Sequence, residues 1–252
     1  MKSLALKNLS KTYFDPYAGS EVTAVRDVSL DVGPGEFVSV VGPSGCGKTT
    51  ILNMVAGFMP ATGGEILVDG QPVHGPGPDR GVVFQSFALF PWKTVLQNVA
   101  FGPKMRGLGK AEREKIARDF LALASLSHAA DRYPAQLSGG QQQRVGVARA
   151  LAADPKVLLM DEPFASVDAQ TRMSLQEELT RIWQERRTTV IFITHDVSEA
   201  VFLANRVVVL SKGRVLDEID VPLEHPRQWD ALMEDERFKA LTALVLQKVR
   251  AA

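Results

Sequence analysis

Eight consecutive residues, Gly42-Pro43-Ser44-Gly45-Cys46-Gly47-Lys48-Thr49, carry the most specific chemistry in this chain of 252 residues. Glycines at this spacing let backbone N–H groups close around phosphate oxygens, and the positive end of a following helix favours the same negative charge. Lys48 is placed to reach β- and γ-phosphates. The Thr49 hydroxyl suits Mg²⁺, a hard cation that takes oxygen ligands and bridges phosphates. Thr50, next along, joins them as a nucleotide-binding candidate. The plain alternative is a glycine turn between strand and helix. However, the buried run Phe37-Val38-Ser39-Val40-Val41 before the loop, and the helix expected from Lys48 to Ala56 after it, supply the context a phosphate loop requires. Alone, the loop implies only that a nucleotide binds.

Two further groups have the chemistry to act on a bound phosphate. Asp161 and Glu162 follow the apolar run Val157-Leu158-Leu159-Met160 and emerge at the carboxyl end of a strand, where ligands bind in open parallel sheets. Asp161 is expected to hold Mg²⁺, directly or through water. Glu162 is expected to orient and polarise the water that attacks the γ-phosphoryl group in line. Two adjacent carboxylates have a blander use as caps of the next segment. Leu137-Ser138-Gly139-Gly140-Gln141 opens a basic helix and offers a second phosphate-binding surface that the first loop does not need; as a simple helix cap, Ser138 would only bond the first-turn amides.

The order of these elements narrows the reading. The phosphate loop, Gln85, Leu137 to Gln141, Asp161-Glu162, Asp168 and His195 together resemble the ATP-binding-cassette ATPases, over nearly the whole chain. That resemblance implies ATP and Mg²⁺ at the site, with Glu162, His195 and Lys48 as its catalytic set. It also implies a head-to-tail homodimer, in which ATP on Lys48 of one copy is closed over by Ser138, Gly139, Gly140 and Gln141 of the other. Gln85 would link nucleotide, Mg²⁺ and membrane partner, His195 would contact the γ-phosphate and catalytic water, and Asp168 would lie between the two sites. Taken singly, a Gln after a strand reads as polar surface and a His after an apolar strand as a structural residue; their order and spacing carry the argument. Tyr13 falls where the family places an aromatic ring that stacks on adenine, with Phe14 and Tyr17 as rivals. One departure lies before Asp168, where Ala165-Ser166-Val167 stands in place of the Ser-Ala-Leu or Gly-Ala-Leu of many relatives.

The elements that must position these residues alternate in type. Residues 1–41 read as short strands with apolar residues at alternate positions, such as Val28, Leu30 and Val32. Glu65 to Val73 reads as a hairpin around Asp69-Gly70, and Val82 to Gln85 as another short strand. From about Pro91 the pattern turns helical, with Ile116, Phe120 and Ala124 on one face, which predicts an inserted lobe over about 91–136. Strand and helix then alternate again, with an amphipathic helix over Ser174 to Glu185 and a buried strand at Val190-Ile191-Phe192-Ile193. The expected fold is α/β: a phosphate-loop NTPase core with a mostly parallel sheet, an N-terminal antiparallel β subdomain and an inserted helical subdomain, forming one domain over 1–252. A short tail over about 218–252, with a closing helix near Phe238 to Val249, is expected to say little about chemistry.

Composition bounds the partners. With 29 basic and 29 acidic residues the formal charge is zero, so nothing advertises nucleic acid or anionic lipid. Cys46 is the single cysteine, which rules out an intrachain disulfide and favours a reducing compartment. No run approaches the ~18 apolar residues of a spanning helix, and the first residues lack the apolar region of a secretory signal. Joined to these bounds, the resemblance to ATP-binding-cassette ATPases implies a peripheral protein on the cytoplasmic side of the membrane, bound to separate transmembrane permease subunits.

Soluble cassette proteins that remodel ribosomes or DNA differ by carrying paired cassettes or long coiled-coil insertions, and a bare ATP-binding regulator would not need Glu162 and His195. Phe87-Ala88-Leu89-Phe90-Pro91-Trp92, Val95, Asn98 to Gly102 and Ile182-Trp183 resemble the nitrate, sulfonate and taurine importer branch. This likeness implies a small anionic nutrient handed over by a substrate-binding protein.

Overall fold

The computed structural model describes residues 3–16, 19–86 and 88–252. Tyr17 and Phe87, named above, lie outside the described residues.

Two sheets build the molecule. In the first, β1 (Leu4–Asp15) and β2 (Ser20–Val32) pair antiparallel from Leu4↔Val32 to Asp15↔Ser20. These strands are longer than the short ones expected. Irregularities let them continue, because Asn8 and Asp27 take left-handed backbone at φ of 50° and 51°, and Asn8 Nδ2 donates to Asp27 Oδ1 at 2.7 Å. The strand β4 (Gly63–Val68) joins β1, and the Asp69-Gly70 turn leads into β5 (Gln71–Pro72); β3 (Phe37–Val41) belongs to the other sheet.

The second sheet also holds β6 (Arg80–Val83), β7 (Val157–Asp161), β8 (Thr189–Ile193), β9 (Arg206–Ser211) and β10 (Arg214–Asp220), in the order β10-β9-β3-β8-β7-β6. All its pairings are parallel except the hairpin between β9 and β10. The apolar runs of its strands follow from burial on both faces. On β3, Phe37 and Val41 face one core while Val38 and Val40 face the other; Leu158 and Met160 alternate with Val157 and Leu159 in the same way.

Helix α1 (Lys48–Val55) packs on the face shared with the antiparallel sheet. The opposite face is covered by α2 (Val95–Val99), α3 (Phe101–Met105), α4 (Lys110–Leu123), α5 (Gly139–Ala152), α6 (Ala169–Arg186) and α7 (Val197–Leu203), and near the C-terminus by α8 (Trp229–Glu234) and α9 (Glu236–Arg250). The helices α2, α3 and α4 pack against one another and against α5, whose first turn carries the Ser138 segment. Among the described residues, no helix is long and apolar enough to cross a membrane.

Candidate active site

Four adjacent parallel strands, in the order β3-β8-β7-β6, deliver four groups to their carboxyl ends: the phosphate loop, His195, Asp161 with Glu162, and Gln85. This is where an open parallel sheet presents ligands. The loop closes on α1 through Gly47, at φ +104°, where an added Cβ would stand 2.7 Å from the Ala24 carbonyl oxygen, so only glycine fits between the loop and β2. Lys48 is 8% exposed, and its Nζ donates to the Gly42 oxygen at 2.8 Å and the Pro43 oxygen at 3.0 Å, 3.8 Å from Cys46 Sγ. No carboxylate among the described residues forms an ion pair with it. The ammonium is held by neutral carbonyls, which leaves its charge for an anion on the loop. Ser44 and Gly45 are exposed, and Thr49 and Thr50 follow in the first turn of α1.

The Thr49 hydroxyl donates to Asp161 Oδ1 at 3.4 Å, joining β7 to the loop. Burial raises the Asp161 pKa, and Glu162 adds to this, against the lowering effects of the Thr49 hydrogen bond and Lys48. A cation at this position would reverse the cost of that buried charge. Glu162 sits in left-handed backbone at φ 43°, and its N–H donates to the Ile193 oxygen at 2.9 Å, locking the turn to the end of β8. Such backbone is costly for a non-glycine residue and recurs where geometry serves chemistry. Here it aims the carboxylate so that Oε2 lies 3.1 Å from His195 Nδ1, with side chains 27% and 64% exposed respectively. The two residues that follow neighbouring strands therefore meet as a carboxylate–imidazole pair facing solvent.

Gln85 lies in an exposed turn two residues past β6, which ends at Val83 rather than continuing to Gln85; the intervening Phe84 stacks on Phe58 at 6.0 Å. Asp168 caps α6, accepting from the Thr171 N–H at 3.0 Å, and that backbone hydrogen bond lowers its pKa. The cap starts the helix at Ala169, a turn before the apolar face that suggested Ser174. Ser138 caps α5 in a reciprocal box with Gln141: its N–H donates to Gln141 Oε1 at 3.0 Å, and its Oγ accepts from the Gln141 N–H at 3.4 Å. Ser138 and Gly139 are exposed, while a Cβ on Gly140 would stand 2.7 Å from Thr171 Cγ2, which fits α5 closely against the turn begun by Asp168. None of these bonds ties Ser138 to the phosphate loop of the same chain. Tyr13 lies on β1 opposite Val22, two residues from the Ala24 that abuts the loop; it is 38% exposed, and its hydroxyl meets Met59 Sδ at 3.2 Å. Phe14 is the more exposed ring.

Reasoning from sequence missed the supports. Arg149 on α5 donates to the Ala88 oxygen at 2.6 Å and lies over the Phe90 ring, bracing the segment after Gln85. Thr194 and Glu199 lie buried behind His195. Only the Asp196-x-x-Glu199 spacing hinted at order there, and it reads as a surface cap.

Residues 25–165 match the family model described as ABC transporter. The chain belongs to that family and is an ATP-binding ATPase of its cassette class. Among its relatives, the taurine import ATP-binding protein TauB of Pseudomonas putida is 53% identical over 81% of this chain and 79% of its own length. The bicarbonate transport ATP-binding protein CmpD of Synechocystis is 46% identical over 94% of this chain and 86% of its own, and the nitrate import ATP-binding protein NrtD of Synechococcus elongatus is 45% identical over 92% and 86%. A solved dimeric structure of the ATP-binding cassette MJ0796, in a post-hydrolysis state bound to ADP and Pi, superposes with a TM-score of 0.77 at 35% identity, covering 88% of this chain and all of that one.

Proposed function

We propose that this chain energises uptake of a small anionic nutrient, working as a homodimer on separate permease subunits that receive cargo from a substrate-binding protein. The observation that carries the ATPase half is the Glu162–His195 pair at 3.1 Å beside the phosphate loop and Asp161. The relatives named for taurine, nitrate and bicarbonate support the cargo class.

In this reading Lys48 and the loop amides hold the β- and γ-phosphates, and the exposed face of Tyr13 stacks on the adenine. Water attacks the γ-phosphorus in line, Glu162 receives its proton, and the bond to the β-phosphate oxygen breaks to give ADP and phosphate. His195 holds the γ-phosphate and the water against Glu162. Mg²⁺ fits the donors present: a hydroxyl from Thr49, a carboxylate from Asp161 and the Gln85 amide are hard oxygen ligands. They are too few for a closed cage, and no cluster of three His, Cys, Asp or Glu forms among the described residues, as suits an ion that keeps waters and substrate phosphates. When bound, it neutralises charge on the β- and γ-phosphates.

The exposed Ser138 and Gly139, where Ser138 hydrogen-bonds within its own helix cap, are accounted for if this turn closes on the ATP of a second copy, with Asp168 between the sites. Glu162→Gln tests the assignment. ATP binding is expected to persist while turnover falls by about 10²-fold or more, the typical worth of a positioned base; undiminished hydrolysis would dismiss Glu162 from that role.

A further inference from the structure

A buried chain of hydrogen bonds runs from the C-terminal segment to the residue before His195. Trp229, the first residue of α8, donates its indole Nε1–H to Gln176 Oε1 at 2.9 Å; Gln176 Nε2 donates to Glu199 Oε1 at 2.7 Å; and the Thr194 hydroxyl donates to Glu199 Oε2. The Thr194 Oγ1 also accepts from the Asp196 N–H at 3.0 Å, and the Thr194 N–H donates to the Val40 oxygen on the phosphate-loop strand. His195 is thus bracketed on both sides by one hydroxyl. Every side chain in the chain is buried: Gln176 2%, Thr194 2%, Glu199 5% and Trp229 6% exposed.

Three features set this apart from ordinary packing. First, Asp196 and Glu199 have the spacing of a reciprocal helix cap, and Asp196 does accept from the Glu199 N–H at 3.1 Å, yet the Asp196 N–H is taken by Thr194, so the Glu199 carboxylate is diverted into the interior. Second, both its oxygens accept from neutral donors, and the guanidinium that influences it, Arg172, donates instead to the Val167 oxygen beside Asp168. Burying a carboxylate without a contacting cation is costly, and burial raises its pKa, so hydrophobic replacement would be easier if packing were the only demand. Third, the far end is anchored. The Trp229 ring stacks on Phe202 at 4.2 Å, and the buried Arg227 guanidinium donates to the carbonyls of Val201, Phe202 and Ala204 at the end of α7.

We infer that Glu199, Gln176 and Trp229 are positioning residues for His195, so that the seating of the C-terminal segment on α6 and α7 sets how well the imidazole meets Glu162. This rests on the proposed role of His195. The C-terminal segment thereby takes part in the ATPase reaction although it lies outside the nucleotide site.

The test is a double-mutant cycle on steady-state ATP hydrolysis by this chain. Trp229→Phe keeps the stacked ring and deletes the indole donor; Glu199→Gln keeps the shape and one acceptor. Each is expected to lower kcat by about 3- to 10-fold, the worth of one buried hydrogen bond, with the KM for ATP unchanged. Neither is expected to lower it further in a His195→Ala background. Equal losses with and without His195 would overturn the inference, as would unchanged kcat in folded variants. Full activity in His195→Ala itself would instead sink the role of His195. The imidazole NMR signals give a readout independent of turnover: those of His195 should move in both variants while those of His74 and His128 stay, and an unmoved His195 signal contradicts the relay.

Discussion

The proposed chemistry rests on a few side chains whose positions are bought with backbone strain and burial. Glu162 holds left-handed backbone and Lys48 is buried among carbonyls, arrangements that a fold without a phosphate ligand would have no reason to keep. Gly47 shows how tight the loop is. Gly47→Ala would push a Cβ to 2.7 Å from the Ala24 oxygen at a φ that side chains avoid, with an expected cost of about 1–3 kcal/mol in stability and loss of nucleotide binding; an unfolding midpoint and an ATP titration would show both. The loop, Asp161 and Glu162 were legible in the sequence because phosphate chemistry demands particular residue types at short spacing. The Glu162–His195 contact was not, since it is made by neighbouring strands 33 residues apart in sequence.

At the level of elements, α5 and α6 form the unit that carries the exposed Ser138 turn. Gly140 is fitted against Thr171, and Arg144 on α5 pairs with Glu178 on α6 at 3.0 Å, both largely buried. Burial raises the Glu178 pKa, with Arg144 working against it. Ser138→Arg is expected to leave ATP binding by each chain intact while blocking closure; a variant that still dimerises with ATP would contradict the sandwich. Strands β3, β7 and β8 were readable from continuous apolar runs, because burial on both faces removes the alternation that one-sided burial imposes. Helix α6 began earlier than its apolar face suggested, because Asp168 supplies a cap through a polar, exposed first turn. The long β1 and β2 were read as short because positive-φ irregularities at Asn8 and Asp27 break the alternation without ending the strands.

Across the whole molecule, a periodicity reading passes over buried polar atoms. His225 carries two: both ring nitrogens are buried without a hydrogen-bond partner among the described residues, and the ring packs against Trp183 at 4.9 Å. Burial, then Arg227 and Arg187, lower its pKa from 6.5 to about 3. Between those values the unfolded chain binds a proton that the folded chain refuses, so stability is full above about pH 6.5 and falls as the pH drops below it. The slope is less than the ~1.4 kcal/mol per pH unit of a complete proton difference. Denaturant midpoints at pH 7 and pH 5 should differ less in His225→Leu than in the parent, and an equal drop in both would remove His225 from the account.

In the proposed dimer, two copies enclose ATP between the phosphate loop of one and the Ser138 turn of the other. Light scattering on a sizing column, applied to Glu162→Gln with Mg²⁺ and ATP and again with ADP, tests it most directly. A dimer with ATP and a monomer with ADP are expected. A protein that demonstrably binds ATP yet stays monomeric would contradict it.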